Sequence, residues 1–340
     1  MSATGQMQVT PERIMQLAWG HCAPVIMDAA IQHGVFESLN DGPKTVEETA
    51  AQTGASRRGL RAIMNALAGL ELLTKDADGR FSLTPESSAF LVGGKPAYLG
   101  GLIRHTTHDL IPQWQELGEI VHTGKSKRRV NQEQTGAKFF HDFVTDIMSL
   151  SFGAAEALAR ELAVAEATAP LSVLDVAAGS AVWSIVLAQA SPQVRVTAVD
   201  WPGVLDVTRE TTAKYGVADR YTYVGGDLDA ADFGKNHDIA VLGHILHMEG
   251  ETRGRALLRR VFRSMKRGGT IAIQEFLVDD DRSGPPMGLL FAVNMLVATD
   301  EGDTYSAREI AGWLREAGFV NPRTVAAPGP SPLLLATRPA

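Results

Sequence analysis

Cysteine is almost absent: Cys22 stands alone in 340 residues, which excludes an internal disulfide framework and fits a reducing compartment. Excess positive charge is missing too, since 32 Lys and Arg against 39 Asp and Glu leave a formal net charge of -7 at pH 7. That balance argues against a partner held mainly by phosphate neutralisation, whether bulk nucleic acid or an anionic membrane, and favours a small molecule. No uncharged apolar run reaches the ~20 residues of a membrane span. The run from Met287 to Thr299 is too short and is flanked by Pro and acid. Nothing resembling a signal peptide opens the chain. The expectation is a cytoplasmic protein that engages neither membrane nor nucleic acid.

What is present is ordinary globular composition, 45% hydrophobic and 21% charged, in a chain long enough for two domains. The first hundred residues read as helices followed by a hairpin. Met27 to Leu39 is one amphipathic run, and Thr45 with Glu48 makes a capping-box start for the next helix. Ser56 then caps SRRGLRAIMNALAGLELL, and LLTKDADGRFSLT reads as a β-hairpin. Two short helices and a hairpin wing form a winged-helix pattern. From Ala97 to Ala163 the chain is helical, broken by the polar, basic loop GKSKRRVNQEQTG. Short β-branched runs then alternate with helices, as βαβ units demand: LSVLDVA, VRVTAV, RYTYVG, DIAVLG and TIAIQEF. Ser306 and Glu309 box a last helix, and two strands around Val325 and from Leu333 to Ala336 end the pattern. The boundary between the two regions falls near Ala165 to Pro170.

In a doubly wound sheet, ligands bind beyond the carboxyl ends of the strands. VLDVAAGSAVWSIVLA places a small-residue turn there, followed by an amphipathic run, but with Gly179 as its one Gly it lacks the G-x-G-x-x-G of a pyrophosphate site. The second strand ends in Asp200, where an acid can hold ribose hydroxyls, and the third in Gly225-Gly226-Asp227. One carboxylate for a ribose and one near an adenine's exocyclic amine describe an adenosyl ligand with no phosphate requirement, such as S-adenosylmethionine. Trp201 could lie against the adenine, whereas Trp183 packs between the first helix and the sheet.

These segments make the chain resemble, over nearly its whole length, the two-domain O-methyltransferases of the caffeate, hydroxyneurosporene and acetylserotonin type. The matching stretches are VLDVAAGS, VDWPGVL, GGDL, LGHILHMEGETRGRALLRRV and MKRGGTIAIQEF. The resemblance implies an α/β fold: a Rossmann-like domain with a seven-stranded, mostly parallel sheet over residues 166–340. Before it would come a winged-helix dimerisation domain over 1–110 and a helical connector, 111–165, contributing to the substrate pocket. It implies a homodimer, S-adenosylmethionine as methyl donor, S-adenosylhomocysteine as product, and no metal. Asp175, Ala177, Gly179, Asp200, Trp201, Asp227, Leu228 and Gly243 would hold the cofactor, with Ala177 and Ala181 standing where Gly is common in the family. Met148, Phe152, Phe291, Asn294 and Met295 would line the acceptor pocket.

By the same resemblance His247 is the general base, with His244 the structural alternative, and Glu275 orients it. A phenol-like hydroxyl is protonated at neutral pH, and an imidazole is suited to take that proton. Three departures from the family stand out: Met248-Glu249 after the base, Gly243 four residues before it, and Thr304 where a second acid is usual. Other functions remain open at this stage. One is a cofactor-binding member that methylates carbon, nitrogen or sulfur, or does not methylate; the other is a winged-helix DNA regulator. Against the regulator, its second helix shows Arg57, Arg58 and Arg61 only at its start. Asp279, Asp280 and Asp281 are adjacent in a polar loop, unlike the separated ligands of a hard-cation site.

Overall fold

The computed structural model describes residues 9–329 and 331–340. Contacts divide the chain into two compact units, Met1–Pro112 and Gln113–Ala340, so the stretch expected as a connector folds almost wholly with the second.

In the first unit, α1 (Glu12–Ala18), α2 (Cys22–Gln32), α3 (Val35–Asn40), α4 (Val46–Thr53) and α5 (Arg57–Gly69) precede a hairpin of β1 (Leu73–Lys75) and β2 (Phe81–Leu83). Helices α6 (Pro85–Phe90) and α7 (Gly100–His105) follow. The run expected as one helix from Met27 to Leu39 is two, because Gly34 turns left-handed at φ 64 between α2 and α3. Thr45 and Glu48 form the expected capping box, and Ser56 caps α5 through the Gly59 N–H. Phe36, Leu60, Met64, Leu67 and Phe81 fill the core of this unit. Arg57, Arg58 and Arg61 face solvent. Helix α1 buries none of its residues: Ile14 is 69%, Leu17 67% and, just beyond the helix, Trp19 70% exposed. The stretch Glu12–Gln32, 21 residues, is long and apolar enough to cross a membrane by length and composition, although it is not the uncharged run considered above. Averaged over that length, the apolar residues outweigh Glu12, Arg13 and Asp28. In the structure it is two helices, broken between Ala18 and Cys22.

A short helix α8 (Ile111–Trp114) spans the division, and α9 (Leu117–Thr123), α10 (Glu133–Phe143) and α11 (Phe152–Glu161) lead into the sheet. Among the described residues that sheet has seven strands: β3 (Leu171–Val176), β4 (Val194–Asp200), β5 (Tyr221–Gly225), β6 (His237–Gly243), β7 (Met265–Gln274), β8 (Val320–Val325) and β9 (Leu333–Thr337). Their order is β5-β4-β3-β6-β7-β9-β8, with only β9 antiparallel to both its neighbours. The chain leaves β3 for β4 on one side and returns to β6 on the other, so β3 and β6 flank the switch point where α/β sheets bind ligands.

Side chains alternate across the strands and divide the core in two. Val173, Val196, Ala198 and Val241 pack under α11 and α12 (Val182–Ala190). Leu174, Val176, Val199 and Leu242 pack under α14 (Leu246–Ser264) and α16 (Ala307–Ala317). The remaining helices are α13 (Pro202–Lys214) and α15 (Pro286–Ala298). Helix α12 is not the amphipathic run expected from its sequence: Val182 to Ala188 are all buried, because α11 covers the face that would otherwise meet water.

Candidate active site

The turn after β3 runs through left-handed backbone at Ala177 (φ 54), Gly179 (φ 53) and Ala181 (φ 59). These conformations turn the chain sharply enough to aim the Gly179 N–H at Asp200 Oδ2, 2.8 Å away, while Asp200 Oδ1 accepts from the Trp201 N–H at 2.7 Å. Burial pushes the Asp200 carboxyl up to about 6 against the pull of those two donors. The turn is roofed by α10. A Cβ on Gly179 would meet Val144 Cγ1 at 3.2 Å, and one on Gly136 would meet the Trp201 indole at 2.7 Å. Small residues, backbone donors and an acid with lone pairs to spare suit an uncharged ribose better than a pyrophosphate.

Two residues assigned to the cofactor are placed elsewhere. Asp175 is 2% exposed and accepts a hydrogen bond from Ser184 on α12, with Tyr221 donating to Ser184 in turn. Strand alternation turns it to the α12 side, where burial lifts its carboxyl to about 7. Gly243 lies under the Trp183 indole, whose Nε1 would be 2.1 Å from a Cβ there, so it makes room for a tryptophan rather than offering a side chain to a ligand. Trp183 is 5% exposed in the helix–sheet core, as expected.

Beyond β5, Leu228 is buried, while Asp227 stays about one-third open and pairs with Arg253 Nη2 at 3.5 Å. At the ends of β6 and β7 the structure joins His247 to Glu275: Nδ1 and Oε2 are 2.6 Å apart, and the residues are 6% and 3% exposed. Glu275 Oε1 also accepts the backbone N–H of Leu246 at 2.6 Å. Burial alone would raise the Glu275 carboxyl, but the His247 imidazole and these hydrogen bonds outweigh it and hold the group below its ordinary range. His244, at φ 62, is driven down to about 4 by burial, so it stays neutral and takes no proton near pH 7. The position expected for a second acid holds Thr304, buried and with no partner for its hydroxyl among the described residues; Asp303 instead donates its N–H to the His247 carbonyl at 2.9 Å. One carboxylate therefore orients the imidazole. Donor atoms of His244, His247 and Glu275 lie within 4.8 Å of one another. The His247–Glu275 separation is nevertheless that of a shared proton, shorter than two ligands on one zinc would allow.

Around His247 stand Phe291, edge-on at 4.9 Å between centroids, and Phe276, stacked on Phe291 at 3.8 Å. Met295 packs with Met248, Val130 and Phe291, and Asn294 Oδ1 accepts from Trp114 Nε1 at 3.0 Å. Met148 and Phe152 are not in this group. Met148 is buried in the core under α11 and α12, and Phe152 packs on the same core with its ring 5.9 Å from Tyr215. Phe276, Trp114 and Arg253 escaped sequence reasoning, although Phe276 follows Glu275 directly in QEF.

The seven-stranded, mostly parallel sheet, and the helical unit that precedes it in the chain, are those of a Rossmann-like methyltransferase. The chain belongs to the O-methyltransferase family: it matches the O-methyltransferase domain over residues 114–320 and the O-methyltransferase dimerisation domain over 15–93. It is 31% identical over 338 residues to the 3-hydroxy-5-methyl-1-naphthoate 3-O-methyltransferase of Streptomyces sahachiroi, covering 96% of this chain and 95% of that one. It is 29% identical to the tetracenomycin polyketide synthesis 8-O-methyl transferase TcmO of Streptomyces glaucescens, covering 97% of each. The structure of PigF with S-adenosylhomocysteine superposes with a TM-score of 0.81 at 25% identity, over 97% of this chain and 100% of that one. The protein is an S-adenosylmethionine-dependent O-methyltransferase of a metal-independent family.

Proposed function

We propose that the protein methylates a hydroxyl of an aromatic or polyketide-derived small molecule, with His247 as general base. The buried His247–Glu275 hydrogen bond of 2.6 Å carries this assignment. Glu275 fixes the imidazole through Nδ1 and leaves Nε2 to receive the acceptor's proton. The stacked Phe276–Phe291 pair stands beside the imidazole, with ring centroids 6.1 and 4.9 Å from it, and suits an aromatic acceptor. Both Streptomyces relatives are named for oxygen methylation in aromatic or polyketide chemistry.

When bound, S-adenosylmethionine supplies an electrophilic methyl group. Asp200 would hold its ribose hydroxyls, the turn of Ala177 and Gly179 would lie along it, and Asp227, Leu228 and Trp201 would border the adenine. The chain would work in the cytoplasm as a homodimer, with the exposed apolar residues of α1 and the adjoining Trp19 as part of the contact. A screen of phenolic and polyketide acceptors, followed by His247→Asn, tests the assignment. The expected loss in kcat is about 10²- to 10⁴-fold, with S-adenosylhomocysteine binding unchanged. Glu275→Gln should cost about 10- to 10³-fold by leaving the imidazole poorly held. Retained turnover in His247→Asn would remove the base assignment.

A further inference from the structure

We propose that Arg253 is a positioning residue for cofactor binding: anchored by Glu249, it presents Asp227 to the adenine edge. This rests on the adenine-side assignment of Asp227 made above. Arg253 lies on α14 and uses three different nitrogens on three carboxylates: Nε to Glu249 Oε2 at 2.7 Å, Nη1 to Asp229 Oδ2 at 2.8 Å and Nη2 to Asp227 Oδ1 at 3.5 Å. A planar fork spreads its donors across that span, whereas an ammonium would have to meet all three carboxylates from one point.

Glu249 is the unusual member. It is 6% exposed, and burying a carboxylate is costly unless a cation meets it. Four residues on, across the break in the helix at Gly250, Arg253 is that cation. The guanidinium is thereby fixed from behind and reaches forward to the loop after β5. Arg260 Nη2 ties the same loop through the Ala231 carbonyl at 2.5 Å.

The geometry at Asp227 shows what the clamp accomplishes. Arg253 and the Asp229 N–H, at 2.9 Å, both address Oδ1. Among the described residues Oδ2 is left to accept from an exocyclic amine. The departure Met248-Glu249 thus has a role: the residue two positions after the base anchors the arginine that orients the cofactor loop. The proposed base and Glu249 stand just before the break at Gly250 in α14, and Arg253 stands just after it.

Calorimetric titration with S-adenosylhomocysteine and with adenosine tests this on wild type, Asp227→Asn, Arg253→Ala, Arg253→Lys, Glu249→Gln and the Asp227→Asn/Arg253→Ala double variant. Arg253→Ala should weaken both ligands by the same factor, about 5- to 20-fold, and Glu249→Gln by about 3- to 10-fold. Arg253→Lys should recover part of the loss. The double variant should bind no more weakly than Asp227→Asn alone, because the arginine acts through that carboxylate. A merely structural arginine would give additive losses, and that result, or an Arg253→Ala affinity within twofold of wild type, overturns the proposal. If Arg253→Ala does not fold, Glu249→Gln and Arg253→Lys decide by the same criteria. If Asp227→Asn alone binds as wild type does, the adenine-side assignment falls, and the proposal with it.

Discussion

At the scale of single residues, the unusual feature is acid buried without a cation. Asp175 sits on the α12 side of β3 with its carboxyl raised to about 7 by burial. The folded chain therefore holds this proton more tightly than the unfolded chain, whose carboxyl titrates near ~3.9. Stability is fully present below that unfolded value and declines as pH rises toward 7. Asp175→Asn should flatten the decline, making the variant more stable than wild type at pH 8 by about 1–4 kcal/mol, with little difference near pH 4. Urea unfolding at the two pH values reads this directly. Ala181 offers a second test, since φ 59 costs an alanine roughly 1 kcal/mol. Ala181→Gly should leave the melting temperature unchanged or higher, whereas Ala311→Gly inside α16 should lower stability by about 1 kcal/mol.

At the scale of elements, α14 is the organising piece, and its shape depends on Gly250. That residue has φ 67 and ψ 168 within the helix, and a Cβ there would meet Glu301 Cβ and its carbonyl oxygen at 2.9 Å. The kink separates the turn bearing His247 from the straight remainder that packs on the sheet. Gly250→Ala should destabilise by at least ~2 kcal/mol. It should also lower kcat more than cofactor affinity, as steady-state kinetics beside a melting curve would show. Much of this region is legible in the sequence, because strand ends and helix caps are local signals. Asp200 ends β4, Glu275 follows β7 directly, His247 stands in the first turn of α14 just beyond β6, and the Ser306–Glu309 box stands where expected. What sequence could not give is which side of a strand or helix an interior residue turns to: Asp175, read as a cofactor residue, hydrogen-bonds Ser184 on α12, and Phe152, read as an acceptor-pocket residue, packs on the core under α11 and α12. Nor does local pattern reveal pairs far apart in the chain, such as Trp114 with Asn294 or Arg253 with Asp227.

At the scale of the whole molecule, α1 and Trp19 display large apolar side chains that bury nothing in one chain. A patch of that kind fits the dimer contact proposed above. Light scattering should return twice the 36.4 kDa chain mass, and Leu17→Glu with Trp19→Glu should return the single chain. The order of strands carries a consequence in time. Strand β9, made after every other strand, is inserted between β7 and β8. The loop leading into it anchors the end of β7: Ser331 donates to the Glu275 carbonyl, and its own carbonyl accepts from Gln274 Nε2 at 3.0 Å. During synthesis, a chain that has not yet reached these residues would have an open β7 edge and no anchor on the Glu275 backbone. With His247 as the proposed base, such a chain would keep the cofactor turn yet hold its imidazole against an unanchored carboxylate.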